Sequence, residues 1–152
     1  MDMGGGLIAQ TIQLALAPVF VLVAIGNILN ILSNRLGRVV DRSRVLQARH
    51  AETQGAEHDA IVREIRTVDI RIKLIGRAIL LLVISGLAIG LTVVLLFLQE
   101  FADFSLQPVA AAVFIAAIAL LMSALWLFLR ETREGTAALR IPRSYLELDR
   151  KL

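Results

Sequence analysis

Residues 78–99, AILLLVISGLAIGLTVVLLFLQ, contain no Asp, Glu, Lys, Arg or His. A helix needs about 20 apolar residues to cross the hydrocarbon core of a bilayer, so this stretch is long enough to span a membrane. Residues 3–34 and 104–129 also lack every charged residue and histidine. Hydrophobic residues make up 57% of the 152-residue chain and charged residues 19%, which excludes a soluble globular domain and a disordered chain. A β-barrel is excluded because its strands would alternate polar and apolar residues.

The sequence therefore predicts an all-α membrane protein with three transmembrane helices and a long antiparallel helical hairpin between the first two. The single membrane domain, residues 1–152, divides into transmembrane helix one (7–32), a cytoplasmic helical hairpin (33–77), transmembrane helix two (78–99), transmembrane helix three (104–129) and a cytoplasmic tail (130–152). The first span follows no basic segment and is longer than the apolar part of a signal peptide, so we expect it to be retained.

The hairpin is predicted from apolar residues that continue at helical spacing beyond both neighbouring spans. On the second arm these are Ile61, Ile65, Val68, Ile72 and Ile75. Gly55, within AETQGAE at 51–57, is the strongest helix breaker of the segment. Each of the two helices joined by this turn would contain about 43 residues, and at 1.5 Å per residue it would be about 65 Å long, roughly twice the hydrocarbon thickness. We therefore expect half of each helix to project from the membrane.

The basic residues predict the orientation. Ten of the 16 Lys and Arg lie in residues 33–77 and six in residues 130–152, whereas the N-terminus and the loop before the third span carry only acidic charges. By the positive-inside rule the N-terminus lies outside, and the hairpin and the C-terminus are cytoplasmic. The bacterial inner membrane is the expected location, with anionic lipids as one expected partner. Nucleic acid is not an expected partner, because only 5% of residues are aromatic and the basic residues flank membrane helices.

Polar and small residues within the spans are the candidate contact positions. Asn27, Asn30 and Asn34 share one face of helix one, and they are expected to form either a hydrogen-bonded clamp between helices or the lining of a pore mouth. Small residues let helices approach closely in lipid, either within one subunit or between subunits. The candidates are Gly86, Gly90, Ala112 and Ala116.

The densest motif is NRLGRVVDRSR at residues 34–44. Three interpretations are open for it: a topology anchor that contacts anionic headgroups, ion pairs between subunits with Glu64 or Asp69, or a charged ring in an oligomer. Asp41 is within reach of Arg38 or Arg44 along the helix. The basic face comprises Arg35, Arg38, Asp41, Arg42 and Arg44.

No pattern of catalytic residues or of cofactor binding is present in the sequence. The chain has no Cys, no Gly-rich phosphate loop and no paired carboxylates within the spans. His50 and His58 lie near the hairpin tip without further ligands, so no metal site is expected. The spans lack the ionisable groups that proton relays need. We therefore expect a protein that is not an enzyme and has no catalytic residues, cofactor or metal.

The Pro within the first span, Asn34–Arg44 at its cytoplasmic end, the hairpin and the two closing spans resemble a bacterial membrane-protein family catalogued as domain of unknown function 2721. The resemblance covers roughly residues 8–135 and implies a bacterial origin and an inner-membrane location, but no activity. The topology is also similar to that of TolQ-like motor subunits, which form rings around a partner helix. This is an analogy of architecture.

Two functions follow as hypotheses. The first is a homo-oligomer that forms a ring-shaped channel or a channel-like assembly, with the asparagines near its pathway. The alternative is a scaffold or accessory subunit that docks an unidentified membrane-protein partner through Ile61, Ile65 and Val68 of the hairpin.

Overall fold

The computed structural model describes residues 3–99 and 105–137, with side chains for residues 10–99 and 105–135. This part of the chain forms three helices, α1 (Met3–Glu52), α2 (Ala56–Leu98) and α3 (Gln107–Ala137). Each contains a segment long and apolar enough to cross a membrane. The predicted all-α class and the three membrane-compatible helices are therefore confirmed.

A three-residue turn joins α1 to α2. Gly55 ends this turn with φ 67° and ψ −140°, a conformation that side-chain-bearing residues rarely adopt. The backbone N–H of Asp59 then donates to the carbonyl oxygen of Gly55 at 3.2 Å and closes the first turn of α2. The breaker expected at Gly55 thus reverses the chain, and the two long helices return along each other.

The contact between α1 and α2 repeats every seven residues, the period of a two-stranded coiled coil. The buried residues at this period on α1 are Thr11, Pro18, Ile25, Leu32, Val39 and Leu46. The buried residues at this period on α2 are Ile61, Val68, Ile75, Leu82 and Ile89. The apolar members from Ile25 to Leu46 and from Ile61 to Ile89 belong to one continuous core. Burial is therefore continuous from the apolar segments of α1 and α2 into the charged hairpin.

A second contact joins α2 to α3, so that α2 packs against both other helices. The buried residues of this contact are also spaced seven apart: Ala78, Ser85 and Thr92 on α2, and Ala110, Ala117 and Ala124 on α3. Inside this contact the Ser85 hydroxyl donates to the Ala117 carbonyl oxygen at 2.7 Å. Alanines at every second turn let the two backbones approach closely.

The predicted small-residue positions are only partly in these contacts. A Cβ atom on Gly86 would lie 3.6 Å from Leu22 of α1, whereas one on Gly90 would meet nothing within 4 Å. Ala112 and Ala116 are exposed, and Ala110, Ala117 and Ala124 make the α3 contact in their place. Within one chain, packing against α2 uses the alanines with the seven-residue period, and a contact between subunits through Ala112 and Ala116 stays a prediction.

Candidate functional site

The next positions of the seven-residue repeat between α2 and α3 are occupied by an arginine and a glutamate, which form an ion pair. Arg71 precedes Ala78 by seven residues and Glu131 follows Ala124 by seven, so the two continue the register of the alanines. Both Nε and Nη2 of Arg71 donate to Glu131 Oε1, at 3.0 and 2.9 Å. Glu131 is fully buried. Both hydrogen bonds go to one carboxylate oxygen, and each is charge-assisted and therefore stronger than a hydrogen bond between neutral groups.

Arg35 of α1 approaches the second oxygen of the same carboxylate. Its Nη2 atom lies 3.0 Å from Glu131 Oε2. Its guanidinium carbon also lies 5.3 Å from the ring centroid of Phe128, one helical turn before Glu131. One carboxylate therefore connects all three helices, and we call Arg35, Arg71 and Glu131 the arginine–glutamate cluster.

Burial of this carboxylate requires both arginines. The cost of transferring a lone carboxylate out of water is several kcal/mol, and paired cations have to offset it. The Arg35 and Arg71 side chains are 26% and 23% exposed, so both remain partly accessible to solvent. A Cβ atom on Gly135 would lie 3.2 Å from Arg71 Nη2. Glycine at this position therefore leaves room for the guanidinium.

An open cleft of about 190 Å³ adjoins the cluster. It is lined by Arg35, Arg38, Val39 and Arg71. Arg38 is exposed, and no other residue in the described ranges forms an ion pair or hydrogen bond with it. Three guanidinium groups therefore line one small concave surface.

The predicted asparagine face lies on the side of α1 that is opposite its contact with α2. Asn27, Asn30 and Asn34 are all exposed, and the only hydrogen bond among them is from Asn34 Nδ2 to Asn30 Oδ1 at 3.2 Å, within the described residues. Each lies two or five positions after Ile25 or Leu32, which is roughly 140–200° around the helix from the α2 contact. A clamp between these amides and the chain's own α2 or α3 is therefore wrong, and the face points away from the subunit.

The profile of a family described as a protein of unknown function (DUF2721) matches residues 15–141, a range that contains the cluster, the cleft and the asparagine face. The chain belongs to the DUF2721 family. The resemblance drawn from Asn34–Arg44 is thereby confirmed. No curated protein and no solved structure matches this DUF2721 chain.

Two further residues of the predicted basic face of this DUF2721 chain, Arg42 and Arg44, make more exposed contacts. Arg42 Nη2 and Nε lie 2.7 and 2.8 Å from Glu64 Oε1, across the two arms of the hairpin. The predicted partner Glu64 is thus correct, but the pair forms within one chain rather than between subunits. Arg44 lies 3.9 Å from Asp41 along α1, and both side chains are exposed. Exposed pairs of this kind contribute about 0–1 kcal/mol.

The two histidines of the DUF2721 chain meet at the hairpin tip. The ring centroids of His50 and His58 are 4.3 Å apart. In residues 3–99 and 105–137 no group of three or more His, Cys, Asp or Glu could hold a metal ion.

Sequence reasoning missed Glu131, Arg71 and Gly135 as members of a site. Glu131 is the first acidic residue after the third uncharged stretch, and it follows three alanines at intervals of seven. That period is the signal that could have found it, because a charged residue at a buried heptad position requires a partner.

Proposed function

We propose that this protein is a non-enzymatic integral protein of the bacterial inner membrane that self-associates through the asparagine face of α1. One observation supports this most strongly: Asn27, Asn30 and Asn34 lie on a membrane-compatible helix and point away from the chain's own α2. An amide that faces lipid leaves its donors and acceptors unpaired, at a cost of several kcal/mol per group. A second copy offers the same amides, and each amide both donates and accepts.

The proposed assembly is a closed ring of four or more copies with α1 innermost. In that arrangement α2 and α3 form the outer layer, where their exposed apolar side chains meet lipid, for example Leu80, Leu87, Ile115 and Met122. The inner surface carries uncharged amides, which suit a passive pathway for ions or small polar solutes and not a proton relay.

The second candidate, a scaffold that docks a partner through the hairpin, requires a different surface from the expected one. Ile61 and Val68 are buried in the contact between α1 and α2, so their expected role as docking residues is wrong, and Ile65 is half-buried against the same core. Val45 and Ile70 are instead about half exposed on the two arms of the hairpin. A charge at Val45 or Ile70 should release a docked partner and leave the hairpin folded.

The proposed orientation has the N-terminus outside and the hairpin and C-terminus in the cytoplasm. The charge distribution supports it, since the basic residues cluster beyond one end of the spans. The chain has no cysteine, so a single introduced cysteine is the only thiol that can react and shows on which side of the membrane its position lies. Cysteine at exposed Ser105 should react with an impermeant thiol reagent in intact cells, and cysteine at exposed Gln54 only after lysis. The reverse pattern would overturn this orientation.

Self-association is tested by the particle mass together with crosslinking. Native mass spectrometry in mild detergent should give a single species of four or more chains. In membranes, Asn30→Cys should crosslink between copies with a short bifunctional thiol reagent. The matched control is Leu87→Cys, which is 71% exposed on α2 and should not crosslink. A monomeric particle, or equal crosslinking at both positions, would contradict the proposed interface.

The proposed channel along α1 is tested by measuring ion flux into liposomes that contain the protein. Asn27→Leu or Asn30→Leu should change ion flux while the particle keeps its mass. Wild-type protein that forms the ring but passes no ion would leave self-association standing and refute the channel.

A further inference from the structure

We infer that the cleft between α1 and α2, lined by Arg35, Arg38, Val39 and Arg71, is a binding site for the phosphate group of an anionic molecule, with a phospholipid headgroup as its ligand. The inference rests on the proposed membrane location.

The charge balance of the cleft favours an anion. Glu131 is the carboxylate bound to Arg35 and Arg71, and it neutralises one of their two charges. Arg38 adds a charge with no carboxylate partner among the described residues. The site therefore keeps an excess of two positive charges. A phosphate group carries one or two negative charges, and guanidinium groups match its oxygens in paired hydrogen bonds.

The cleft is also held in shape. Glu131 binds two N–H groups of Arg71 and contacts one nitrogen of Arg35, and each guanidinium carries five N–H donors. The buried carboxylate thus fixes the direction of the Arg71 guanidinium by two hydrogen bonds and holds the Arg35 guanidinium nearby by an ion pair, while donors remain on each. Arginines that are already oriented lose less side-chain entropy on binding a ligand than free surface arginines do. Gly135 contributes by leaving space beside Arg71.

The position of the cleft along the helices indicates a lipid as the source of the phosphate. Arg35 follows the end of the uncharged stretch of α1 by one residue, and Glu131 follows that of α3 by two. Trp126, which is 62% exposed, lies just over one turn before Glu131, at the depth where tryptophans collect at membrane surfaces. The cleft therefore lies at the level of lipid phosphates rather than in bulk solvent.

The test measures lipid retained per chain by native mass spectrometry of the full-length protein in neutral detergent. Phosphatidylglycerol is titrated into wild type, Arg38→Gln, Arg38→Glu and Arg77→Gln. Arg77 is the matched control, because it is an exposed arginine near the same membrane surface that does not line the cleft. Inorganic phosphate and phosphatidylcholine are added in parallel arms.

We expect one tightly retained phosphatidylglycerol per chain in wild type and weaker retention of phosphatidylcholine. Arg38→Gln should weaken retention about tenfold or more, the effect of losing one charge-assisted hydrogen bond, and Arg38→Glu should weaken it further. Arg77→Gln should weaken it by about fivefold or less, which corresponds to diffuse attraction. Competition by inorganic phosphate at low concentration would support the phosphate site and assign a soluble ligand to it.

Equal losses in Arg38→Gln and Arg77→Gln, or unchanged retention in Arg38→Gln, would overturn the inference. The same spectra give the number of chains in the particle. A monomer that still retains lipid at the cleft would refute the ring and support the phosphate site, so the two proposals fail separately.

Discussion

Replacement of Glu131 by alanine should release the end of α3 from the two other helices. The change removes two hydrogen bonds from Arg71 and the ion pair with Arg35, and it leaves two cations without their anion. Loss of one partner of a buried ion pair costs about 3–5 kcal/mol. Both arginines are about one quarter exposed and regain some hydration, so we expect the low end, about 3 kcal/mol. Glu131→Gln should cost about half as much, because an amide oxygen still accepts from Arg71 but carries no charge.

The assay is unfolding of the detergent-solubilised protein by added SDS, followed by helical circular dichroism and by the fluorescence of Trp126, the single tryptophan of the chain. Trp126 lies on α3 and reports its release. Hydrogen exchange should accelerate in residues 124–135 and remain slow at the centre of the α1–α2 contact. The matched control is Glu64→Ala, which breaks the half-exposed pair with Arg42 and should cost less than about 1 kcal/mol.

A triple variant separates the stabilisation contributed by the arginine–glutamate cluster from the cost of leaving its two arginines without a carboxylate partner. Simultaneous replacement of Arg35, Arg71 and Glu131 by leucine removes every charge of the cluster, and such replacements are often neutral or stabilising. The triple variant should therefore recover most of the stability that Glu131→Ala loses. Equal costs of Glu131→Ala and Glu64→Ala within about 0.5 kcal/mol, or a triple variant as unstable as Glu131→Ala, would show that the cluster does not hold α3 in place.

Two further predictions concern the turn and the α2–α3 contact. Gly55→Ala should destabilise the hairpin tip by about 1–3 kcal/mol, because the backbone at φ 67° is strained for any residue with a Cβ atom. Amide hydrogen exchange around the turn measures this, and Gly37→Ala is the control, since a Cβ atom there meets nothing within 4 Å; no change in exchange for Gly55→Ala would contradict the strain. Ser85→Ala should cost only about 0.6 kcal/mol in SDS unfolding, the average for a hydrogen bond between membrane helices. Ser85→Leu should cost several-fold more because the side chain is fully buried, and equal effects of the two substitutions would show that the contact is loose.

The elements of the fold follow from local features of the sequence. The uncharged stretches at residues 3–34, 78–99 and 104–129 are long enough to span a membrane, and no strong breaker separates two of them from the basic helices of the hairpin. Gly55 marks the turn, because the turn requires a backbone conformation that only glycine adopts without strain. These properties depend on neighbouring residues alone, so the sequence is sufficient for them.

Local sequence features do not predict which side of each helix is buried. In a membrane helix the lipid-facing residues are as apolar as the packed ones, so hydrophobicity gives no direction. Ala112 and Ala116 were as plausible a packing face as Ala110 and Ala117, and the structure buries only the latter pair. The asparagine face was identified on α1 because amides stand out among apolar residues, yet its direction away from α2 became known only from the packing.

By itself, then, the sequence determined the three helices, their lengths, the turn at Gly55 and the family, because apolar length, charge and glycine act over short distances along the chain. The tertiary structure decided the seven-residue contacts, the outward direction of the asparagines and the burial of Glu131. Arg35, Arg71 and Glu131 are far apart in sequence, and each resembles an ordinary charged residue beside a membrane span. Their partnership arises only when α2 lies between the two other helices and brings one carboxylate within 3.0 Å of two guanidinium groups.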